Sequence, residues 1–223
     1  MQLTPEQAKE LMQKAVIERE SFNFDTAEQM LNTAKIAFTE QNDLYNVSEC
    51  LNHLAYSKKL RAKQILSEGH ALAKESFELT SNNNLKQQSS LRCLISLLTP
   101  QERYEEELKV CNKLLELTSR PANKGDVLQH IAYSLLRTGK ITEANLTIAQ
   151  SLKMIEEGAK SEPESAINVW KSSSLITKAL IEYNLGEIEN AKKSAEEALK
   201  VAKSSVSKMR VKQAEAVLKL LNS

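Results

Sequence analysis

The chain has 223 residues, 41 % hydrophobic and 26 % charged, with a formal net charge of +1. Such a balance excludes a disordered or collagen-like chain and gives no pull toward nucleic acid or a membrane surface. Five glycines, four prolines and 4 % aromatic residues, set against abundant Ala, Leu, Lys, Glu, Gln and Ser, point to an all-helical fold.

The opening stretch MQLTPEQAKE has neither a basic segment nor an apolar one, and no run of about 18 apolar residues follows anywhere. Cys50, Cys93 and Cys111 lack CxxC spacing and fit reduced thiols. A cytoplasmic protein is expected. The glycosylation sequons at 46–48 and 145–147 fall inside expected helices and read as chance matches.

The helical pattern begins at 5–20, where Thr4-Pro5-Glu6-Gln7 writes a capping box with proline at the first helical position. The next expected helices are 26–40, started by Asp25 with Glu28, then 43–60 and 64–80. The break Asn82-Asn83-Asn84 precedes 84–98. Thr99-Pro100-Gln101-Glu102 reads as a second capping box for 100–118. Pro121 and Pro163 start 122–138 and 163–185. Gly139 and Gly186 end helices before 142–157 and 187–203. The last expected helix, 206–222, carries Lys208, Arg210, Lys212 and Lys219 on its polar side.

Two heptapeptides nearly repeat: LNHLAYS at 51–57 and LQHIAYS at 128–134. The stretches that follow also align. Phe24, Leu66, Tyr104, Ile141 and Ile188 serve as anchors, at spacings of 42, 38, 37 and 47 residues. Each unit of about 40 residues has room for two helices and two turns. Three residues past the anchor stands a small residue, Gly69, Ala144 or Ala191, where paired helices would cross closely; the third copy departs with Glu107.

With Gly186 through Ala191 and Ala198, and with Gly139 through Leu152, the chain resembles the tetratricopeptide-repeat family in degenerate form. The resemblance implies a right-handed superhelical array of about five helix hairpins, at approximately 5–40, 43–80, 84–118, 122–157 and 163–203, with a capping helix at 206–222. The whole of 1–223 would then be one TPR-like domain. HEAT-like units are the weaker alternative.

In such an array the first helix of each hairpin lines a concave groove. The groove positions carried over by register are Asn52, His53 and Tyr56, then Arg92, Cys93 and Ser96, then Gln129, His130 and Tyr133. The two histidines stand one residue before Leu54 and Ile131, expected in the core, so a rim or packing role is the simpler reading. Cys50 and His53 lie three apart on one helix, but no complete metal-ligand set follows. Tyr56 and Tyr133 suit partner contact, since tyrosine offers a large ring at modest entropy cost. Trp170 is the only tryptophan and reads as an anchor on the preceding hairpin.

No HExxH, glycine-rich phosphate loop or GxSxG is present, and the SVSK at 205–208 is a frequent chance match. No cofactor, metal, nucleic acid or membrane is called for. The expected function is non-catalytic: an adaptor whose groove takes a peptide or helix of a partner protein, with self-association through the array ends a further route. A peptide- or ligand-responsive regulator is the alternative.

Overall fold

The computed structural model describes residues 3–80, 83–205 and 207–223. Among the described residues ten α-helices follow in order: α1 Pro5–Glu20, α2 Phe24–Glu40, α3 Leu44–Leu79, α4 Asn84–Leu98, α5 Tyr104–Leu117, α6 Pro121–Arg137, α7 Ile141–Gly158, α8 Glu164–Asn184, α9 Ile188–Ser204 and α10 Lys208–Leu221. Single 3₁₀ turns, Thr99–Gln101 and Ala159–Ser161, follow α4 and α7. The described residues contain no β-strand. Asn82, in the expected break, and Val206, the expected start of the last helix, lie outside the described residues.

One turn type recurs. Phe22, Asn42, Glu102, Gly139 and Gly186 all take left-handed φ, between 57° and 81°. In each case the next residue's N–H donates to the carbonyl five positions back: Asn23 to Glu18, Asp43 to Phe38, Arg103 to Leu98, Lys140 to Leu135 and Glu187 to Glu182. This is the Schellman closure, which satisfies carbonyls left free at a helix end. The helices that follow begin at Phe24, Leu44, Tyr104, Ile141 and Ile188. Four of these are the anchors of the sequence repeat. The residue three positions on is fully buried in those four copies: Ala27, Glu107, Ala144 and Ala191.

Three local expectations are corrected. The expected hairpin at 43–80 is one 36-residue helix, α3. Lys58 to Leu66 are mostly strong helix formers with no glycine or proline, so nothing there stops the helix, and Leu66 is no anchor. The second capping box does not form. Thr99 enters a 3₁₀ turn, Glu102 goes left-handed, and α5 starts only at Tyr104. Asp25 caps nothing; Asn23 is the N-cap of α2 and Asp25 pairs with Arg61. The box at Thr4 does form, with Gln7 N–H donating to Thr4 Oγ1 at 3.3 Å and Thr4 N–H to Gln7 Oε1 at 2.9 Å.

The chain divides into two compact units, Met1–Gly69 and His70–Ser223, and the boundary falls within α3. In the first unit α1 packs on α2, and Ala8, Ala34, Ala37, Phe38 and Cys50 form one core cluster. In the second unit α6 and α7 form a close hairpin. A Cβ on Gly158 would lie 2.3 Å from the Ala122 nitrogen, so only glycine admits this approach. Leu94, Ile95, Leu114, Val127 and Ile148 lie in the larger core cluster. A second cluster, around Leu175, Ala179, Ala195, Val217 and Leu221, joins α8, α9 and α10.

Candidate functional site

The sequence-derived groove positions separate between the units, and each set is described within its own unit. In the first, Arg19 of α1 is buried, at 6 % exposure, and meets two groove candidates of α3. Its guanidinium carbon sits 4.6 Å from the Tyr56 ring centre, and its Nη1 lies 3.2 Å from His53 Nδ1. Arginine can only donate, so His53 Nδ1 is the acceptor. Glu20 completes the set at 2.7 Å from Arg19 Nη2. Tyr56 remains exposed on its outer side, as does Asn52. Cys50 is fully buried with its thiol on Met12, at 3.6 Å, and no group of three or more metal-binding side chains gathers among the described residues.

In the second unit, α4 contributes Arg92, Cys93 and Ser96. Arg92 is committed to a salt bridge with the buried Asp126 of α6. Ser96 is exposed and its hydroxyl donates to the Cys93 carbonyl at 2.7 Å. These residues do not line the cleft that α6 lines.

That cleft has a volume of about 280 Å³ and brings together Gln129, His130 and Tyr133 of α6. Ser173, Ile176, Thr177 and Leu180 of α8 form a second wall, and Arg210, Gln213, Ala216 and Val217 of α10 a third. Thr99 also lines the cleft. The helical register of α6 turns residues 129, 130 and 133 to this side. The α8 lining residues fall at the same spacing.

Gln129 is not on an open groove surface, as its register position led one to expect; it is buried at 5 % exposure. Its Nε2 donates to Thr177 Oγ1 at 2.9 Å, while its Oε1 is buried without a donor. His130 is half-buried, with Nδ1 3.5 Å from Glu107 Oε1. Glu107 itself is fully buried, accepts from the Thr99 hydroxyl at 2.9 Å, and leaves Oε2 unpartnered. Tyr133 holds the rim. Its hydroxyl accepts from Arg137 Nη1 at 3.0 Å, and its ring meets Tyr104 edge-on at 6.1 Å.

The sequence pattern places Arg210 on the polar face of the last helix. It lies instead in the cleft wall. Its Nη1 donates to Gln213 Oε1 at 2.8 Å, and its buried Nε has no acceptor. Burial pushes this guanidinium below its ordinary pKa, opposed by the attraction of Asp126. The sequence offered one weak signal for it: Arg210 lies four positions before Ala214 and seven before Val217, so it borders the buried stripe of α10. Thr177 and Ser173 gave none, because serine and threonine within a helix read as surface.

No protein-family model matches the chain, and no curated protein matches its sequence. Among solved structures, BtubC (BKLC) from P. vanneervenii is similar at a TM-score of 0.52 and 18 % identity. The likeness covers 70 % of this chain and 65 % of that one, so the match spans less than two thirds of BtubC. At this identity it speaks to the fold alone, an all-helical one.

Proposed function

We propose that the protein is a non-catalytic TPR-like binding module, an adaptor that receives a segment of a partner protein in the cleft of α6, α8 and α10. One observation carries the reading: the cleft gathers Gln129, His130 and Tyr133, the three groove positions of the second heptapeptide. Its walls set the apolar Ile176, Leu180, Ala216 and Val217 among polar side chains that can fix the orientation of a bound segment. The recurring left-handed turn and the buried slot three residues after each anchor support an array of hairpins. Helical-repeat arrays of this kind present extended binding surfaces. A superhelix of hairpins also suits a chain whose described residues are mostly helical.

The test is affinity capture from the native cell extract, followed by titration of the purified partner against wild type and Ala216→Trp. Ala216 is exposed and lines the cleft, so tryptophan there fills the opening without entering the core. Binding weakened by more than tenfold in the folded variant is expected. Unchanged affinity would place the partner elsewhere and end this reading.

A further inference from the structure

The cleft has a chemical character beyond being open. Among its lining residues there is one permanent cation, Arg210, and no carboxylate. Among the described residues Arg210 makes no salt bridge, unlike Arg19, Arg61, Arg92, Arg103, Arg120 and Arg137. Its Nε–H is buried without an acceptor, and its Nη1 donates to the neutral Gln213. Leaving a charged donor buried and unpaired is costly. An anionic group in the cleft that accepts from the Arg210 guanidinium offsets that cost.

Resting on the binding-module reading, we infer that this cleft recognises an aliphatic carboxylate, with Arg210 holding the carboxyl group and Ile176, Leu180 and Val217 enclosing the apolar body. Arginine presents donors in a fork that matches a carboxylate. A dianion such as phosphate suits the site less well. Only one cation faces the opening, and two acidic side chains stand behind its walls: Asp126, paired with Arg92, and Glu107, 3.5 Å from His130. The volume of about 280 Å³ suits one amino-acid residue or a short branched acid. The carboxylate could be supplied by a peptide's end or by a free acid, and the two sources separate by experiment.

The probes are 4-methylpentanoate and its neutral isostere 4-methylpentanamide, titrated by calorimetry into the full chain. A second pair is a tetrapeptide ending in leucine, with a free or an amidated C-terminus. The acid is expected to bind at least tenfold more tightly than the amide. Arg210→Gln should remove that preference. Gln213→Glu gives an independent variant: it sets a carboxylate where Gln213 already accepts from Arg210 at 2.8 Å, on an exposed position, and should abolish acid binding without disturbing the core. A free-acid peptide bound at least tenfold more tightly than 4-methylpentanoate identifies a peptide end, and equal or weaker binding a free acid. Either supports the inference.

Equal affinity for acid and amide overturns it, as does acid binding that survives both variants, or no binding of any probe at millimolar concentration. The two readings fail separately. If Ala216→Trp blocks the partner while acid and amide bind alike, the module stands and the carboxylate site falls. If the acid binds through Arg210 while the partner ignores Ala216→Trp, the carboxylate site stands and the module reading falls.

Discussion

Glu107 occupies a slot that Ala27, Ala144 and Ala191 fill in the other copies, and all four are fully buried. Alanine there lets two helices approach. Glutamate there costs desolvation, and its Oε2 has no partner to offset that cost. The pairing to His130 is long, at 3.5 Å, and His130 is partly exposed. Glu107→Gln keeps the shape and the bond from Thr99 while removing the charge. It is expected to raise the melting temperature at pH 7, by a stabilisation of about 1 kcal/mol. A drop of several degrees in a thermal melt would show instead that the charged pair holds α5 to α6. The same residue marks the limit of what the sequence could say. Its departure from the pattern is plain in the alignment, but only the structure shows that it is buried rather than tolerated at the surface. The two heptapeptides teach the same lesson. Ser57 and Ser134 are both fully buried, yet Leu51 is half exposed where Leu128 is in the core. Likeness of letters fixed the register of the helix and left its neighbours open.

The recurring turn is the element that places every helix after it. Gly139 and Gly186 were legible as its left-handed residue because glycine pays no Cβ penalty there. Asn42 fills the same position with a side chain that tolerates it, whereas Phe22 and Glu102 carried no such signal. Left-handed φ strains a residue with a Cβ by about 1 kcal/mol or more. Glu102→Gly is therefore expected to stabilise the second unit by about 0.5–1 kcal/mol. The exposed pairing to Arg137 at 3.5 Å is lost with it, and that pairing is worth little. Gly139→Ala, with φ at 81°, is expected to destabilise by about 1 kcal/mol. Urea titrations of the two variants check both signs. If they move the same way, the left-handed backbone is not what sets the energy of this turn. The long α3 shows the opposite failure of legibility. A repeat of about 40 residues demanded a turn near 61–63, whereas the local residues favour helix, and there local propensity won over the repeat.

On the scale of the whole molecule, two separate cores mean two sources of cooperativity. The first unit rests on a cluster built from Phe38, three alanines and Cys50, while the second contains two larger clusters. Less apolar burial gives less stability, since each fully buried large side chain contributes about 1.5–3 kcal/mol. Each unit also holds its own reporter: Cys50 and Cys111 are fully buried, and Cys93 is exposed. Desolvation raises both buried thiols above the ordinary thiol pKa of 9.0, Cys111 strongly. Buried, protonated thiols do not attack an aromatic disulfide reagent, so at pH 8 only Cys93 should react quickly in the native protein. With rising urea, Cys50 is expected to become reactive before Cys111, because the first unit opens first. One shared midpoint for the two thiols would show that the chain unfolds as a single cooperative body. The raised pKa values also fix the direction of a pH effect. A folded state that holds a proton more tightly than the unfolded one keeps its full advantage below the unfolded value, near 9.0, and loses it as pH climbs above that. The loss runs at up to about 1.4 kcal/mol per pH unit for each thiol. Between pH 9 and 10.5 the wild type should therefore lose stability more steeply than Cys111→Ala, and parallel curves would mean that the Cys111 thiol is not shielded from water.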